Sequence, residues 1–495
     1  MTYRQLLAGN ADFRRLWSGQ VVSEIGDWLN NIAVLALAIQ LAGAGHEGRA
    51  IALYAIARHL PLFLFGPIAG VVVDRTDRRR VMIASDLTRA LLALGFFFAD
   101  RFSLLSVIYA VAAALFSVSA FFNAAKRASI PNIVGDTDEL LTANSLTAST
   151  TAATIAVGSA LGGLVATFAG REPVFILNAL TFLLSAEMIR RIRAKTQGKG
   201  KREKGERGKG EEKAQQVEGG RTERLATGKT TGEAEAEDES KAIRPSLASA
   251  SPSSRFPSSP FPLLPQTASV LRRAAVDFRE GLRYVRSDRV LSLIFIVTAA
   301  WGLGSGAGRA VYSLFGAALG VQTASGWVAR PTDFGISVLF VAMGAGGVLG
   351  APLARRINQA AGAGLGTHMG RSMILDGCGL ALFSFIPNLW GAAGVLVARE
   401  VNFAIWWTAQ QTIMMKRTED AYAGRVFASY ETLMTLMMVG AMFASGAAAD
   451  TYGVRIVALG GGLIITLSGF LWFVLRRTGS PDPERQHARA EDFRS

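Results

Sequence analysis

The sequence predicts an all-α membrane protein with twelve transmembrane helices in two six-helix halves. Three observations carry this. Half of the 495 residues are hydrophobic and the mean hydropathy is +0.30, too apolar for a soluble chain of this size. The apolar residues fall in runs of about twenty, the length a helix needs to cross a bilayer. Basic residues gather in alternate turns between these runs, as the positive-inside bias requires.

The runs are roughly 16–42, 51–73, 81–99, 103–125, 143–169 and 173–192, then 290–318, 333–354, 372–387, 389–411, 424–448 and 453–475. The first, fifth and seventh exceed the minimum and predict tilt or extension past the bilayer. The ninth is short and ends at Pro387. Odd-numbered turns hold the single basic residues Arg49, Arg101, Arg171, Arg330 and Arg455. Even-numbered turns hold clusters: Arg75 with Arg78 to Arg80, Lys126-Arg127, Arg355-Arg356 with Arg371, and Lys416-Arg417. Both termini are therefore expected in the cytoplasm and the chain in the inner membrane. The net charge of +14 and pI near 10.2 resemble a nucleic-acid signal, but much of the excess sits in these turns, so no nucleic-acid partner is expected. The first span is long and carries Glu24 and Asp27, unlike a short signal core, and is expected to be retained.

Residues 1–192 form the first half and 290–476 the second, with a cytoplasmic tail at 477–495. Residues 193–269 break the pattern: Gly, Lys, Glu and Arg dominate first, then Ser and Pro. That composition buries too little apolar surface to offset its ordering entropy, so a disordered cytoplasmic linker is expected. Residues 270–289 follow as a basic amphipathic helix, with Leu271, Ala274, Phe278, Leu282 and Val285 at helical steps and arginines on the other faces. It suits the inner leaflet, or serves as a solvated lead-in to the seventh span.

The turn after the second span reads Gly70-Val-Val-Val-Asp74-Arg75-Thr-Asp77-Arg78-Arg79-Arg80. Its Gly would let two helix ends approach, and its Asp among arginines would build a charge network at the membrane edge. A degraded copy follows the eighth span: Gly350-Ala-Pro-Leu-Ala354-Arg355-Arg356. Two such six-span halves imply duplication. The turn at Gly70, Asp74, Arg75, Arg78 and Arg79 resembles the signature after helix two of the major facilitator superfamily, with Asp77 where a second Gly is usual. Phe13-Arg-Arg-Leu-Trp17-Ser-Gly-Gln20, Ser85-Asp86-Leu-Thr-Arg89, Phe278-Arg-Glu-Gly281 and Gly424-Arg425-Val are similar to its drug and siderophore efflux branch, which includes enterobactin exporters and macrolide-efflux-like proteins. The resemblance implies the major facilitator fold and alternating access. It also implies that the turn locks the cytoplasmic side, Asp74 meeting the start of the eleventh span and Arg425. The fifth span keeps Gly158, Gly162 and Gly163 of an exporter motif, with Ser159 where Pro is typical. Residues 103–125 lack the helix-four Arg of many proton-coupled members.

Charges inside spans are costly and mark function. Gln20, Glu24, Asp27 and Asn31 recur at steps of four, three and four, on one face of the first span. Two carboxylates on such a stripe suit proton or substrate handling, with capping or ion pairing the alternative for Glu24. The tenth span holds Arg399 and Glu400, which point in different directions, and Asn402, Trp406 and Gln410 on one face. Arg309 in the seventh span, with Tyr430 and Glu431 in the eleventh, complete the set expected to line a cavity. Aromatic rings and scattered charges suit amphiphilic ligands.

Gly228-Lys229-Thr230 lacks the upstream Gly of a phosphate-binding loop, the single Cys378 permits no internal disulfide, and there is no zinc spacing and no nucleophile elbow. No cofactor and no enzymatic activity are expected. The expected function is export of an amphiphilic, drug-like or siderophore-like small molecule by proton antiport, carried out by a monomer in the lipid bilayer. The rivals are a lipid or metabolite carrier of the same fold, or a non-transporting sensor or scaffold working through the linker.

Overall fold

The computed structural model describes residues 2–135, 137–193 and 264–477. Before residue 193 it contains α1 (Tyr3–Gly9), α2 (Ala11–Ala42), α3 (Glu47–Arg75), α4 (Arg78–Arg101), α5 (Leu105–Ile133), α6 (Thr137–Phe168) and α7 (Arg171–Arg190). After the expected linker come α8 (Leu264–Ser287), α9 (Arg289–Ala324), α10 (Pro331–Ala361), α11 (Leu365–Phe385), α12 (Leu389–Arg417), α13 (Asp420–Tyr452) and α14 (Val454–Arg477). Residues 194–263, most of the expected linker, and the tail from 478 lie outside the described residues.

Polar caps set the helix starts. Asn10 accepts from Phe13 N to open α2, Asp288 accepts from Leu291 N to open α9, and Asn388 accepts from Gly391 N to open α12. The helices overrun the predicted spans because their polar ends continue past the apolar core. Thus α2 begins at Ala11 rather than 16, and α11 occupies Leu365–Phe385 rather than 372–387, stopping short of Pro387. Ten of these helices are long and apolar enough to cross a membrane. α11 and α12 fall outside that set; they carry Arg371 and Asp376, and Arg399 and Glu400. Both pack inside the second half, α12 on α10 and α11 on α14.

The two halves meet along α6 against α10 and α3 against α13. Small residues allow this closeness. A Cβ on Gly158 or Gly162 of α6 would strike the α2 backbone at Ile25 or Leu29, and one on Gly163 would strike Ser337 of α10. The segment that resembles the exporter motif is therefore packed against its own half and across to the other. On the face carrying α1 and α8, here the terminal face, Asn10 Nδ2 donates to Ile133 O at 2.9 Å and Arg289 Nη2 to Leu475 O at 3.0 Å.

The amphipathic helix begins at Leu264 rather than 270, and its last turns pack on protein. Val285 is buried, Tyr284 stacks on Tyr422 with centroids 4.6 Å apart, and Ser429 Oγ donates to Phe278 O at 3.3 Å. The contact is with α13, while Arg279, Arg283 and Arg286 remain exposed.

Candidate functional site

In the first half, the predicted stripe on α2 faces α3, α5 and α6. Glu24 is held three ways: Gln20 Nε2 donates to it at 2.8 Å, Thr154 Oγ1 at 3.2 Å, and Lys126 Nζ lies 3.7 Å away. The ion-pairing alternative for Glu24 thus describes this structure. Asn31 is buried, and its Oδ1 accepts from Arg58 Nη1 at 2.9 Å and Tyr54 OH at 3.2 Å. Asp27, between them, is only partly buried and makes no hydrogen bond or ion pair among the described residues. Arg89 and Arg58 act on it through space.

Asp86 and Arg89, one turn apart on α4, form a close ion pair and are both buried. The guanidinium also lies 4.1 Å from the Phe122 ring centroid and 4.5 Å from that of Phe182. Removing one partner of such a pair strands a charge, at a cost of about 3–5 kcal/mol. Asp86→Ala should therefore lower the thermal unfolding midpoint of the purified protein sharply, and Asp86→Ala with Arg89→Leu should recover most of the loss. An unchanged midpoint in the single variant would refute the structural role of the pair.

In the second half, Arg399 on α12 is held by Asp376 on α11, Nε to Oδ1 at 3.1 Å, and donates to the Tyr312 hydroxyl on α9. Trp301 Nε1 donates to Asp376 Oδ2 at 3.0 Å. Glu400 stands 3.8 Å from Arg399 Nη1, so the neighbours do not form the main pair. Trp301, Ser305, Arg309, Tyr312, Arg399, Glu400 and Phe403 line one cavity. Asp376 and Arg58 are among the interior charges that the sequence-derived set lacks.

Three residues expected on the cavity wall lie elsewhere. Trp406, Gln410 and Tyr430 are all buried within the second half; Gln410 Nε2 donates to Tyr430 OH at 2.7 Å and to Thr298 Oγ1 at 2.8 Å. Asn402 Nδ2 donates to Ser372 O at 2.7 Å and ties α12 to α11. They share a helix face as predicted, but that face is turned largely into its own half. Glu431 is exposed on α13.

The turn between α3 and α4 works differently from expectation. A Cβ at Gly70 would meet nothing within 4 Å, so no close helix approach occurs there; in the degraded copy, Gly350 does abut Ala404 and Val401 of α12. Asp77, the departure from the signature, caps α4 by accepting from Arg79 N at 3.0 Å. Arg78 Nη1 donates to Ala128 O and Arg79 Nη1 to Ile192 O, both at 2.6 Å, binding the starts and ends of α4, α5 and α7 together. Asp74 is exposed and makes no hydrogen bond or ion pair among the described residues. Arg425 lies in the second turn of α13, which starts at Asp420, and pairs with Glu280 of α8 at 3.1 Å. The expected Asp74–Arg425 contact is not made in this structure.

The far face, opposite the termini, is closed across the halves. Arg171 of α7 forms a bidentate pair with Asp333 of α10, Nε–Oδ1 2.9 Å and Nη2–Oδ2 2.7 Å, and Nη1 donates to Gln40 of α2 at 2.6 Å. Arg171 and Asp333 are both buried. Nearby, Asp450 of α13 accepts from Gly48 N at 2.6 Å and Arg49 N at 3.0 Å, capping α3 from the other half.

Two helical halves pack against each other, the second holds a charged cavity between α9 and α12, and the far face is tied across the halves, an arrangement that fits a membrane transporter. The chain matches the model of the Major Facilitator Superfamily over residues 16–441 and belongs to that superfamily. It is 30% identical over 175 residues to "Putative bacilysin exporter BacE" of Bacillus subtilis (strain 168), a match covering 35% of this chain and 42% of that one. It is 33% identical over 75 residues to macrolide efflux protein A of Streptococcus pyogenes, covering 15% of this chain and 18% of that protein. The aligned part thus spans less than half the length of either relative. The fold is similar to the nucleoside transporter NupG, with TM-score 0.64 at 11% identity over 94% of this chain and 99% of that one. It is also similar to a bacterial homologue of the iron transporter ferroportin in its inward-facing state, TM-score 0.60 at 12% identity over 93% and 98% of the two chains.

Proposed function

We propose that this chain exports an amphiphilic, drug-like or siderophore-like small molecule in exchange for protons, by alternating access of a cavity between its halves. The observation that carries the reading is Asp27, an interior carboxylate with no direct partner among the described residues. A group that must bind and release a proton in each cycle cannot be locked in a permanent ion pair. The efflux relatives, at low identity and partial coverage, favour export. One proton moving down the membrane potential supplies ~2.3 kcal/mol per 100 mV. At ~1.4 kcal/mol per factor of ten, that sustains roughly a fiftyfold substrate gradient. In this reading the lining residues are Glu24, Asp27, Asn31, Arg309, Arg399 and Glu400. Gly70, Asp74, Arg75, Arg78, Arg79 and Arg425 govern the terminal face, and the protein works as a monomer. Cells expressing the chain should accumulate less of at least one member of a panel of dyes, antibiotics and siderophores, and a protonophore should restore accumulation. Accumulation unchanged by the protein across that panel would count against export.

The terminal face, with its clustered arginines and the 193–269 linker, is the cytoplasmic one in this reading. With Cys378 replaced by Ser, a cysteine at Asn132 should react with a membrane-impermeant maleimide only after lysis, and one at Ala44 in intact cells. Both positions are exposed, whereas a Cβ at Gly48 would collide with Gly446. Reaction of both from the same side would overturn the two-sided topology.

A further inference from the structure

Most charges inside the bundle touch a counter-charge. Lys126 lies 3.7 Å from Glu24, Arg399 3.1 Å from Asp376, Arg171 2.7 Å from Asp333, and Arg89 contacts Asp86. Arg309 on α9 is different. It makes no hydrogen bond or ion pair among the described residues, and its Nε is buried without a partner. Asp376 and Glu400 act on it only through space, and a guanidinium with no direct partner at membrane depth is costly unless something that enters the cavity completes it. Glu400 lines the same cavity but is more than ion-pair distance from Arg309. It is loosely balanced by Arg399, whose Asp376 and Tyr312 contacts leave it little capacity for a ligand.

The cavity wall therefore presents a cation with no direct partner, Arg309, and an anion held only at 3.8 Å, Glu400. A lone anion seated on Arg309 would be repelled by Glu400, and a lone cation seated on Glu400 by Arg309. A molecule carrying both charges meets neither penalty. Beside these groups the partly buried Phe403 ring offers an apolar surface, with Trp301 stacked behind it at 5.5 Å.

We infer that this wall is a seat for a zwitterionic amphiphile, with an anionic group on Arg309, a cationic group on Glu400 and an aromatic or apolar body against Trp301 and Phe403. The inference rests on the reading of this cavity as the transport site. Arg309 can hold a carboxylate through two parallel N–H donors, while Glu400 accepts from an ammonium.

The test uses Nε-dansyl-lysine, its methyl ester, its Nα-acetyl form and the doubly capped molecule. Binding is followed by dansyl anisotropy on the full chain in nanodiscs, against empty nanodiscs. The zwitterion should bind the wild-type protein roughly ten- to a hundredfold tighter than either singly capped form. Arg309→Gln should weaken the zwitterion to the level of the methyl ester. Glu400→Gln should weaken it to the level of the Nα-acetyl form. Arg309→Lys should keep part of the preference, because it keeps the charge but loses the fork. The wild-type series decides the question even if a glutamine variant fails to fold. Equal binding of all four probes would overturn the zwitterion seat and leave the cavity as the transport site. Binding of none would overturn both.

Discussion

Asp27→Asn should abolish proton-driven export while leaving the protein folded and abundant. Both halves of this expectation follow from its surroundings. The carboxylate is half-buried and touches no cation, so neutralising it strands no partner. Asp86 and Asp376 are the contrast, since each is in contact with a buried arginine and their loss should show as instability first. Glu24 lies between these extremes. It is already engaged by Lys126, Gln20 and Thr154, so Glu24→Gln should slow transport less than Asp27→Asn. The measurement is substrate flux in proteoliposomes under an imposed pH gradient, with uncoupled exchange of labelled substrate as control. Asp27→Asn should lose the response to the gradient and retain exchange. Gradient-driven flux at the wild-type rate would remove Asp27 from the mechanism.

The stripe that carries Asp27 was legible because helical periodicity states which residues share a face, and α2 obeys it. The same periodicity does not say which neighbour a face meets. Asn402, Trp406 and Gln410 share a face of α12, yet Trp406 and Gln410 lie deep in the second half and Gln410 bonds to α9 and α13. Arg171 and Arg330 read as isolated outside charges, because positive-inside counting treats a turn as solvent. Folding instead buries Arg171 against Asp333, 162 residues away. Asp376 escaped for a related reason. It lies in the shortest apolar run, and only its pairing with Arg399 on the next helix discloses its role. The usable signal was that two opposite charges in consecutive spans seldom stay apart in lipid. Gly70 shows the converse. A signature residue was recognised, but the close packing that makes glycine necessary occurs at Gly350 in the degraded copy.

Asp333→Asn should open the far face. The Arg171–Asp333 pair spans the two halves, is bidentate, and is almost fully shielded from solvent, with side chains 6% and 0% exposed. It can form only while the far face is closed. Removing the carboxylate charge leaves Arg171 buried with neutral acceptors alone, Gln40 and the single amide oxygen of the new side chain, a loss on the order of 3–5 kcal/mol in that state. When the face opens, water solvates Arg171 and the loss vanishes. The whole difference therefore acts on the equilibrium, by about two orders of magnitude or more. Asp74→Asn should push the other way. Asp74 is exposed here, and Arg425 is held by Glu280. If the Asp74–Arg425 contact belongs to the state with the terminal face closed, its removal should favour the state seen here. Ala354→Asp should not restore it, because Ala354 is buried on α10. Spin labels at Ala169 and Ser325 report the far face, and labels at Arg80 and Lys416 the terminal face; all four positions are exposed. Asp333→Asn should lengthen the first distance and shorten the second. Arg171→Gln should do the same, and Asp333→Asn with Arg171→Gln should add little, as expected for two halves of one contact. Unchanged distances in Asp333→Asn would mean that the backbone caps from Asp450 and the glycine-lined packing hold the far face shut without the ion pair.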